Sequence, residues 1–191
     1  MYMTNTQELI SYPARPINGG PMDNPLPKMG RWAYEAKYNG WRGMLHVDSG
    51  KMWNRHGSPL SITDNFTKAI SQAQLTFNGM YDWLDCEALC MRHKKAKGTL
   101  IVIDLMEGGQ YWERRAELER MLPPMPSDSF EADGLFCPQR STHGESLYQE
   151  LREIDDEFYE GVVAKKLESI YPMQLQNPER KFTQWVKHRW D

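Results

Sequence analysis

Charged side chains stand at five places in the sequence where the neighbouring residues predict a β-strand, and an unpaired charge there is costly to bury. Lys37 is the first, just before Asn39-Gly40, and it is either a surface lysine or a nucleophilic amine. The charged residues at the other four places are Glu87, Asp104, Glu160 with Lys165, and Lys187 with Arg189. A single charge of this kind can mark a sheet edge, but five in one small domain imply a shared polar cleft.

The spacing of apolar residues predicts the elements that position these side chains. Strands are predicted over residues 32–37, 41–47, 51–55, 84–91, 99–106, 134–137, 161–167 and 182–190. Apolar residues at three-and-four spacing predict helices over 62–77, 111–122 and 147–158. Lys187 and Arg189 are two residues apart and therefore share one face of the last strand. Glu160 and Lys165 are five apart, so they share a face only if Glu160 precedes the strand or a β-bulge intervenes.

Tight turns between neighbouring strands favour antiparallel pairing, so the expected fold class is α+β, with antiparallel sheets flanked by helices. Residues 1–30 are rich in proline and glycine and predict an irregular N-terminal arm packed on the domain. Residues 31–191 form the predicted domain, with a flexible junction at 123–133 and no second core.

The composition excludes several classes of protein. The chain has 191 residues, of which 40% are hydrophobic and 26% charged, and it contains no apolar run long enough to span a membrane. The polar start predicts no secretory signal, and three cysteines are too few for a disulfide scaffold, so we expect a protein of a reducing compartment. The net charge of −3 does not exclude a nucleic-acid partner, because basic residues cluster at 92–97 and 180–189.

Taken in order, these segments resemble the motifs of the covalent nucleotidyltransferases, the family of ATP-dependent DNA ligases, RNA ligases and mRNA capping enzymes. Lys37-Tyr38-Asn39-Gly40-Trp41-Arg42 resembles the nucleophile motif Lys-x-Asp-Gly-x-Arg, and Asn54-Arg55-His56-Gly57 resembles the Ser-Arg-x-Gly segment that follows it. The other matching residues are Glu87, Asp104 with Glu113-Arg114-Arg115, Glu160 to Lys165, and Trp185 to Arg189. The resemblance runs from Pro21 to Arg189, is nearest to the bacteriophage-type DNA ligases, and implies the ATP-grasp-like nucleotidyltransferase fold of their adenylation domain.

The resemblance implies an ATP-dependent ligase that seals nicked double-stranded DNA, or RNA, with Mg²⁺ or Mn²⁺ as the metal. Lys37 would attack the α-phosphorus of ATP, while the catalytic cations Lys165 and Lys187 favour the neutral amine and then neutralise the phosphate oxygens. Glu87 and Glu160 would hold the metal ion, since carboxylates are hard oxygen ligands. The residues implied to bind the nucleotide are Glu35, Lys37, Arg42, Arg55, Glu87, Lys165, Lys187 and Arg189.

Three of these roles are more specific. Glu35 matches the position that accepts a hydrogen bond from the adenine amino group, which favours ATP over GTP. Arg42 matches an arginine that contacts the nucleotide sugar or the incoming phosphate. Arg55 matches an arginine near the ribose and the 5′-phosphate of the nick. A protein of this kind is expected to be a monomer in the cytoplasm of a bacterial or phage-infected cell.

The sequence departs from the family pattern at three points. Asn39 replaces an acidic residue, which puts any role of a negative charge there in doubt. Ile103 replaces an aromatic residue that stacks on the adenine, so stacking is weaker or comes from elsewhere. The sequence stops at Asp191, before the oligonucleotide-binding barrel of typical ligases, so the expected domain lacks that barrel and a separate barrel or clamp protein is a possible partner.

Other interpretations of these residues stay open. The chain could be an RNA ligase, or a non-catalytic descendant that binds a nucleotide or a nicked duplex. Asp104 is either a site residue or an acceptor that stabilises the fold. Cys86, Cys90 and His93 match no standard zinc spacing, so the cysteines are expected to be buried thiols.

Overall fold

The computed structural model describes residues 15–20, 26–89, 92, 95–127, 131–155, 157–172 and 181–190, and within these ranges the chain forms two five-stranded sheets and three α-helices. Strands are numbered in chain order. For each sheet they are given below in spatial order, so that consecutive strands are hydrogen-bonded neighbours. The first sheet contains β1 (Arg15–Gly20), β10 (Lys181–Arg189), β9 (Tyr159–Lys166), β2 (Trp32–Tyr38) and β8 (Arg140–Ser141). The second sheet contains β4 (Lys51–Asn54), β3 (Trp41–His46), β5 (Trp83–Leu89), β6 (Thr99–Leu105) and β7 (Leu135–Phe136).

Antiparallel pairing predominates in both sheets, as the short turns predict. The pairs β2–β9, β9–β10, β3–β4, β3–β5 and β5–β6 are all antiparallel. The exceptions within the described ranges are β1, which runs parallel to β10, and β7, which runs parallel to β6. The α+β class is therefore confirmed, with a parallel strand at one edge of each sheet.

The second sheet buries one face against α1 (Thr67–Phe77), which follows a 3-10 turn at Thr63–Phe66. Phe66 and Phe77 pack with Leu45, Leu84 and Leu100 in a cluster in which each of these side chains is fully buried. Successive residues of a strand point to opposite faces of the sheet. The residues next to each of these leucines therefore point away from α1, towards the first sheet.

The first sheet packs against α3 (Gly144–Ile154) through Tyr148, Leu151 and the strand residues Tyr38 and Val162. The second helix, α2 (Tyr111–Met121), begins with a capping box formed by Gln110 and Glu113 and ends ahead of Pro123-Pro124. A smaller cluster joins the sheets: Met44 of β3 and Trp185 of β10 pack with Met106 and Tyr171. The two sheets thus face each other across a narrow space.

Several elements differ from the prediction. Arg15–Gly20 forms strand β1 inside the predicted irregular arm, and residues 1–14 and 21–25 of that arm lie outside the described residues. The short strand β8 was not predicted. The third helix ends at Ile154, not at 158, because the Asp155 carboxylate accepts the backbone N–H groups of Glu157 and Phe158 and turns the chain.

The structure also bears on the cysteines, on metal-binding groups and on membrane-spanning helices. Cys86 and Cys137 are buried free thiols, whereas Cys90 and His93 lie outside the described residues. Within the described part of the chain, no three His, Cys, Asp or Glu side chains are grouped so that they could bind a metal ion. Each helix in the described ranges is too short or too polar to span a lipid bilayer.

Candidate active site

A cavity of about 340 Å³ lies between the two sheets. Its walls include all nine residues to which the sequence assigned a role: Glu35, Lys37, Arg42, Arg55, Glu87, Glu160, Lys165, Lys187 and Arg189. The polar cleft implied by the charged strand residues is therefore present. Their individual contacts, however, divide them into a buried set and a set at the opening.

Strand register places the first-sheet residues on one face. In the β2–β9 ladder Lys37 is opposite Gly161 and Glu35 is opposite Val163. In the β9–β10 ladder Arg189 is opposite Gly161, Lys187 is opposite Val163, and Trp185 is opposite Lys165. Residues directly opposite each other share a face, so the first sheet directs its side chains Glu35, Lys37, Lys165, Trp185, Lys187 and Arg189 towards the cavity.

A β-bulge brings Glu160 to the same face. Lys37 pairs with Gly161 and Tyr38 pairs with Tyr159, so Glu160 is the extra residue between two ladder positions. Gly161 has φ of +138°, and a Cβ on it would stand 1.8 Å from the carbonyl oxygen of His188. Only glycine fits this conformation beside β10, so the bulge depends on Gly161. The bulge explains how Glu160 and Lys165, which are five residues apart, can face one cavity.

Three cations converge on the Glu160 carboxylate. Lys37 Nζ donates a hydrogen bond to Glu160 Oε2. Arg189 Nη2 lies 3.0 Å from the same oxygen, and Arg92 Nη1 lies 3.1 Å from Glu160 Oε1. Lys37 and Glu160 retain 16% and 13% exposure, so the amine of Lys37 sits at the wall of the cavity and is neither sealed in nor free in solvent.

Glu87 faces Glu160 from the second sheet. Its Oε1 accepts the backbone N–H of Gly40 at 3.0 Å, which ties the turn after Lys37 to β5. Burial raises the pKa of the Glu87 carboxyl and the nearby charge of Glu160 raises it further, while Lys37 and Arg42 oppose both effects. Two carboxylates that repel each other across a cavity form a donor set suited to a hard divalent cation completed by phosphate oxygens.

Glu35 and Lys165 form a buried ion pair at the inner end of the cavity. Lys165 Nζ lies 2.9 Å from Glu35 Oε2, donates to the Ile103 carbonyl at 2.6 Å, and stands 4.4 Å from the centre of the Trp185 ring. The exposure of the two side chains is 2% and 3%. In this arrangement Lys165 is held by protein groups. Its predicted phosphate contact stays a prediction.

Helix α2 supplies the remaining partners of Glu35. Tyr111 Oη donates to Glu35 Oε1 at 2.7 Å, and Arg115 Nη1 donates to the same oxygen at 3.1 Å. Arg115 also donates to the carbonyl of Pro138, which fixes its guanidinium. Glu35 therefore lines the cavity with both carboxylate oxygens already engaged, and its predicted contact with adenine stays a prediction.

Arg42 is held by an ion pair with Asp85, and Asp104 is held by ion pairs with Arg114 and Lys165. Arg42 donates through Nε and Nη2 to the two oxygens of Asp85, which is fully buried and also accepts from Tyr171 Oη at 2.8 Å. Burial opposes the charge of Arg42, but Asp85 outweighs it and the pKa of Arg42 is raised. Asp104 Oδ1 accepts a hydrogen bond from Arg114 Nε at 2.7 Å. Asp104 does not line the cavity. This arrangement matches the fold-stabilising interpretation of Asp104.

Arg55 and Lys187 stand nearer the opening. The Asn54 side-chain oxygen accepts the backbone N–H groups of His56 and Ser58 and so shapes the turn that presents Arg55. Arg55 Nε lies 3.1 Å from His56 Nε2. Lys187 is partly exposed on β10, between Trp185 and Arg189 on the same face.

The cavity is also lined by residues that were not predicted from the sequence to belong to the site. Arg92 was grouped with a basic surface cluster, yet it contacts Asn39 and Glu160, which lie 53 and 68 residues away in the chain. Trp41 and His56 also line the cavity. No local pattern marks such long-range contacts. Ile103 lines it too, at the position where the family pattern has a stacking aromatic residue.

Comparison with known proteins identifies the fold. No protein-family model and no curated protein sequence matches the chain. Among solved structures, the ligase domain of M. tuberculosis LigD matches with 21% identity and a TM-score of 0.61, over 92% of this chain and 59% of that chain. A mycobacterial DNA ligase D complexed with ATP matches with 20% identity and a TM-score of 0.60, over 98% of this chain and 62% of that chain.

A more distant match extends this likeness. The Chlorella virus DNA ligase-adenylate matches with 12% identity and a TM-score of 0.55, over 91% of this chain and 67% of that chain. The chain spans about three fifths of the length of the LigD and ligase D structures. The expected fold is confirmed: the chain has the nucleotidyltransferase fold of the adenylation domains of ATP-dependent DNA ligases.

Proposed function

We propose that this chain is an ATP-dependent polynucleotide ligase that seals nicks in DNA through a lysyl-AMP intermediate. The observation that carries the proposal is the position of Lys37, whose amine meets Glu160 at the wall of a cavity lined by basic side chains from β10. The cavity volume of about 340 Å³ lies within the range of small-molecule sites. The ATP complex of a ligase with this fold supports ATP as the nucleotide.

The first step is attack of Lys37 Nζ on the α-phosphorus of ATP. A nitrogen–phosphorus bond forms while the bond to the bridging oxygen breaks, and pyrophosphate leaves with that electron pair. Attack requires the neutral amine, so the ion pair of Lys37 with Glu160 must open and the ammonium must lose a proton to solvent first. Arg189 contacts the same carboxylate and can retain it after Lys37 leaves.

The second and third steps return the enzyme to its starting state. An oxygen of the 5′-phosphate at the nick attacks the α-phosphorus, the nitrogen–phosphorus bond breaks, and the Lys37 nitrogen takes up a proton to regain its amine. The 3′-hydroxyl oxygen then attacks the 5′-phosphorus and AMP leaves, which forms the phosphodiester and releases the hydroxyl proton. Each step needs a phosphate held in line beside Lys37.

The cavity residues divide this work by their exposure. Lys187, Arg189 and Arg55 stand at the opening, where their charges can neutralise phosphate oxygens. Glu35, Lys165 and Arg42 are held in buried ion pairs and form a rigid wall against which the nucleotide packs.

Glu87 and Glu160 would hold the Mg²⁺ or Mn²⁺ ion that the fold implies. Their carboxylates repel each other across the cavity, and the two-carboxylate donor set suits a cation that takes its other ligands from phosphates and water. A bound divalent cation neutralises triphosphate charge and lowers the cost of expelling pyrophosphate.

The proposal is tested by incubating the protein with α-labelled ATP, denaturing it, and measuring label on the chain. Label from ATP that is absent in Lys37→Ala and in Lys37→Arg supports lysyl-AMP, since arginine keeps the ion pair with Glu160 but does not form the adenylate. Label from GTP alone would instead indicate a capping enzyme. A wild-type chain that binds ATP but takes no label is a non-catalytic descendant.

The polymer substrate is tested by sealing. Wild-type protein is mixed with ATP and with nicked DNA, nicked RNA or a nicked hybrid duplex, and the joined strand is measured. Fastest joining of DNA supports the proposal, and fastest joining of RNA makes the chain an RNA ligase.

A further inference from the structure

Arg92 joins the site from a segment that none of the family motifs includes. It stands between β5 and β6, and its Nη1 lies 3.1 Å from Asn39 Oδ1 and 3.1 Å from Glu160 Oε1. One guanidinium nitrogen therefore connects the segment that carries Lys37 to the bulge that carries Glu160.

The charges around Glu160 do not balance. Lys37, Arg92 and Arg189 all contact this one carboxylate. Elsewhere in the cavity wall Arg42 forms an ion pair with the buried Asp85. Among the described residues, the cations at Glu160 outnumber the carboxylates even when Glu87 is counted. An excess of positive charge in a partly desolvated cavity favours an anion.

Arg92 is also the most accessible of these three cations. Its side chain is 48% exposed, compared with 42% for Arg189 and 16% for Lys37. It lines the cavity, so a ligand in the cavity can reach its side chain. A guanidinium presents several N–H donors in a planar fork, which suits the oxygens of a phosphate group.

Asn39 holds Arg92 in place without neutralising it. The Asn39 amide nitrogen donates to the Glu157 carbonyl at 3.0 Å, and this bond turns the amide oxygen towards Arg92. The acidic residue of the family pattern would form an ion pair there. The amide orients the guanidinium and leaves its charge available.

On the basis of the function proposed above, we propose that Arg92 is a phosphate-binding residue of this site. When a phosphate group enters beside Lys37, the guanidinium exchanges Glu160 for the phosphate oxygens while Asn39 keeps it at the opening. The phosphate belongs either to the triphosphate of the nucleotide or to the 5′-phosphorylated end of the polynucleotide. Both present the same chemistry to Arg92.

The experiment compares Arg92→Ala and Arg92→Lys with Lys97→Ala. Lys97 is an exposed lysine in the same turn that does not line the cavity, so its variant controls for the loss of one surface charge. Thermal unfolding of each variant checks that the fold is kept. The first readout is the single-turnover rate of chain labelling from ATP, and the second is the rate of joining a nicked duplex whose 5′-end is already adenylated.

We expect Arg92→Ala to lower at least one of the two rates about a hundredfold, the range for removing one preorganised donor, and Lys97→Ala to stay within about twofold of wild type. A loss in labelling alone assigns Arg92 to the triphosphate, and a loss in joining alone assigns it to the 5′-end. Arg92→Lys should recover part of the rate, because it restores the charge without the fork. Wild-type rates for Arg92→Ala in both assays, or equal losses for Lys97→Ala, overturn the proposal.

Equilibrium binding of ATP and of a 5′-phosphorylated nicked duplex separates this proposal from the ligase assignment. If wild-type protein takes no label and joins no ends, but Arg92→Ala weakens binding of either probe about tenfold, the ligase assignment fails and the role of Arg92 stands. If Arg92→Ala binds both probes like wild type while wild type labels and seals, the ligase assignment stands and the role of Arg92 fails. Absence of binding of both probes to wild-type protein overturns the role of Arg92.

Discussion

Gly161 of β9 lies so close to His188 of β10 that a Cβ on the glycine would stand 1.8 Å from the His188 carbonyl oxygen. Gly161 is also paired with Lys37 of the neighbouring strand β2. Its φ of +138° permits the bulge that turns Glu160 towards the Lys37 amine. A backbone contact between two strands thus decides where a carboxylate of the active site stands.

The first prediction is that Gly161→Ala destroys this arrangement. A side chain in this backbone region costs about 1–3 kcal/mol, and the contact with His188 adds to that cost, so we expect the free energy of unfolding to fall by at least about 2 kcal/mol. Labelling from ATP should fall about a hundredfold or more because Glu160 moves. Denaturant titration and the labelling assay measure the two effects.

Gly79→Ala is the matched control for that variant. Gly79 has φ of +76° but no atom within 4 Å of an added Cβ, so it carries backbone strain without a clash. We expect a loss of about 1 kcal/mol and unchanged labelling. Equal losses of activity in both variants would show that the bulge does not position Glu160.

The second prediction concerns Lys187, which stands on the cavity face of β10. Lys187→Ala should lower the rate of labelling from ATP about a hundredfold, because a preorganised charge near the phosphates is removed. Lys51→Ala, at an exposed position of β4, is the control and should label at the wild-type rate. A wild-type rate in Lys187→Ala would place the reacting phosphates away from β10.

The third prediction follows from the raised pKa of Glu87. Burial favours the protonated form in the folded state, so ionised Glu87 destabilises the fold above its folded pKa, and this cost disappears as the pH falls through that pKa towards the ordinary value of 4.5. Glu87→Gln should therefore be at least as stable as wild type at pH 7, and its relative stability should decline at pH 4.

The same variant, Glu87→Gln, should lose activity at pH 7 even though its stability there is kept or raised. Glu87→Gln keeps an acceptor for the Gly40 N–H but loses the charge that a metal ion requires, so we expect labelling to fall about a hundredfold at pH 7. Denaturation curves at the two pH values and labelling at pH 7 provide the comparison. A variant that is less stable than wild type at pH 7, with a difference that does not change at pH 4, would contradict the burial argument.

The fourth prediction concerns the buried pair Glu35–Lys165. Lys165→Met should lower the free energy of unfolding by about 3 kcal/mol, because it leaves a buried carboxylate without its ammonium partner. Glu35→Gln should also destabilise, and the double variant should lose less than the sum, with a coupling of at least about 1 kcal/mol. Additive losses in denaturant titration would mean that Arg115 and Tyr111 alone hold Glu35.

Local patterns were sufficient to predict most of the elements. Alternation of apolar and polar residues located the central strands, since one face of each is buried between the sheets or against a helix. The arm at residues 1–30 was predicted wrongly at Arg15–Gly20, because β1 is an edge strand that pairs with β10 at the other end of the chain. A pairing between segments this far apart in the sequence leaves no local pattern to detect.

The sequence by itself predicted that charged strand residues share a cleft, because charges in apolar strands need partners, and side chains two apart share a face. The tertiary structure alone decided which are exposed to a ligand and which are enclosed. It paired Lys165 with Glu35 and Arg42 with Asp85, and it brought Arg92 to Glu160. These outcomes depend on register, on the bulge at Glu160 and on contacts between distant segments, which become defined only when the two sheets pack face to face.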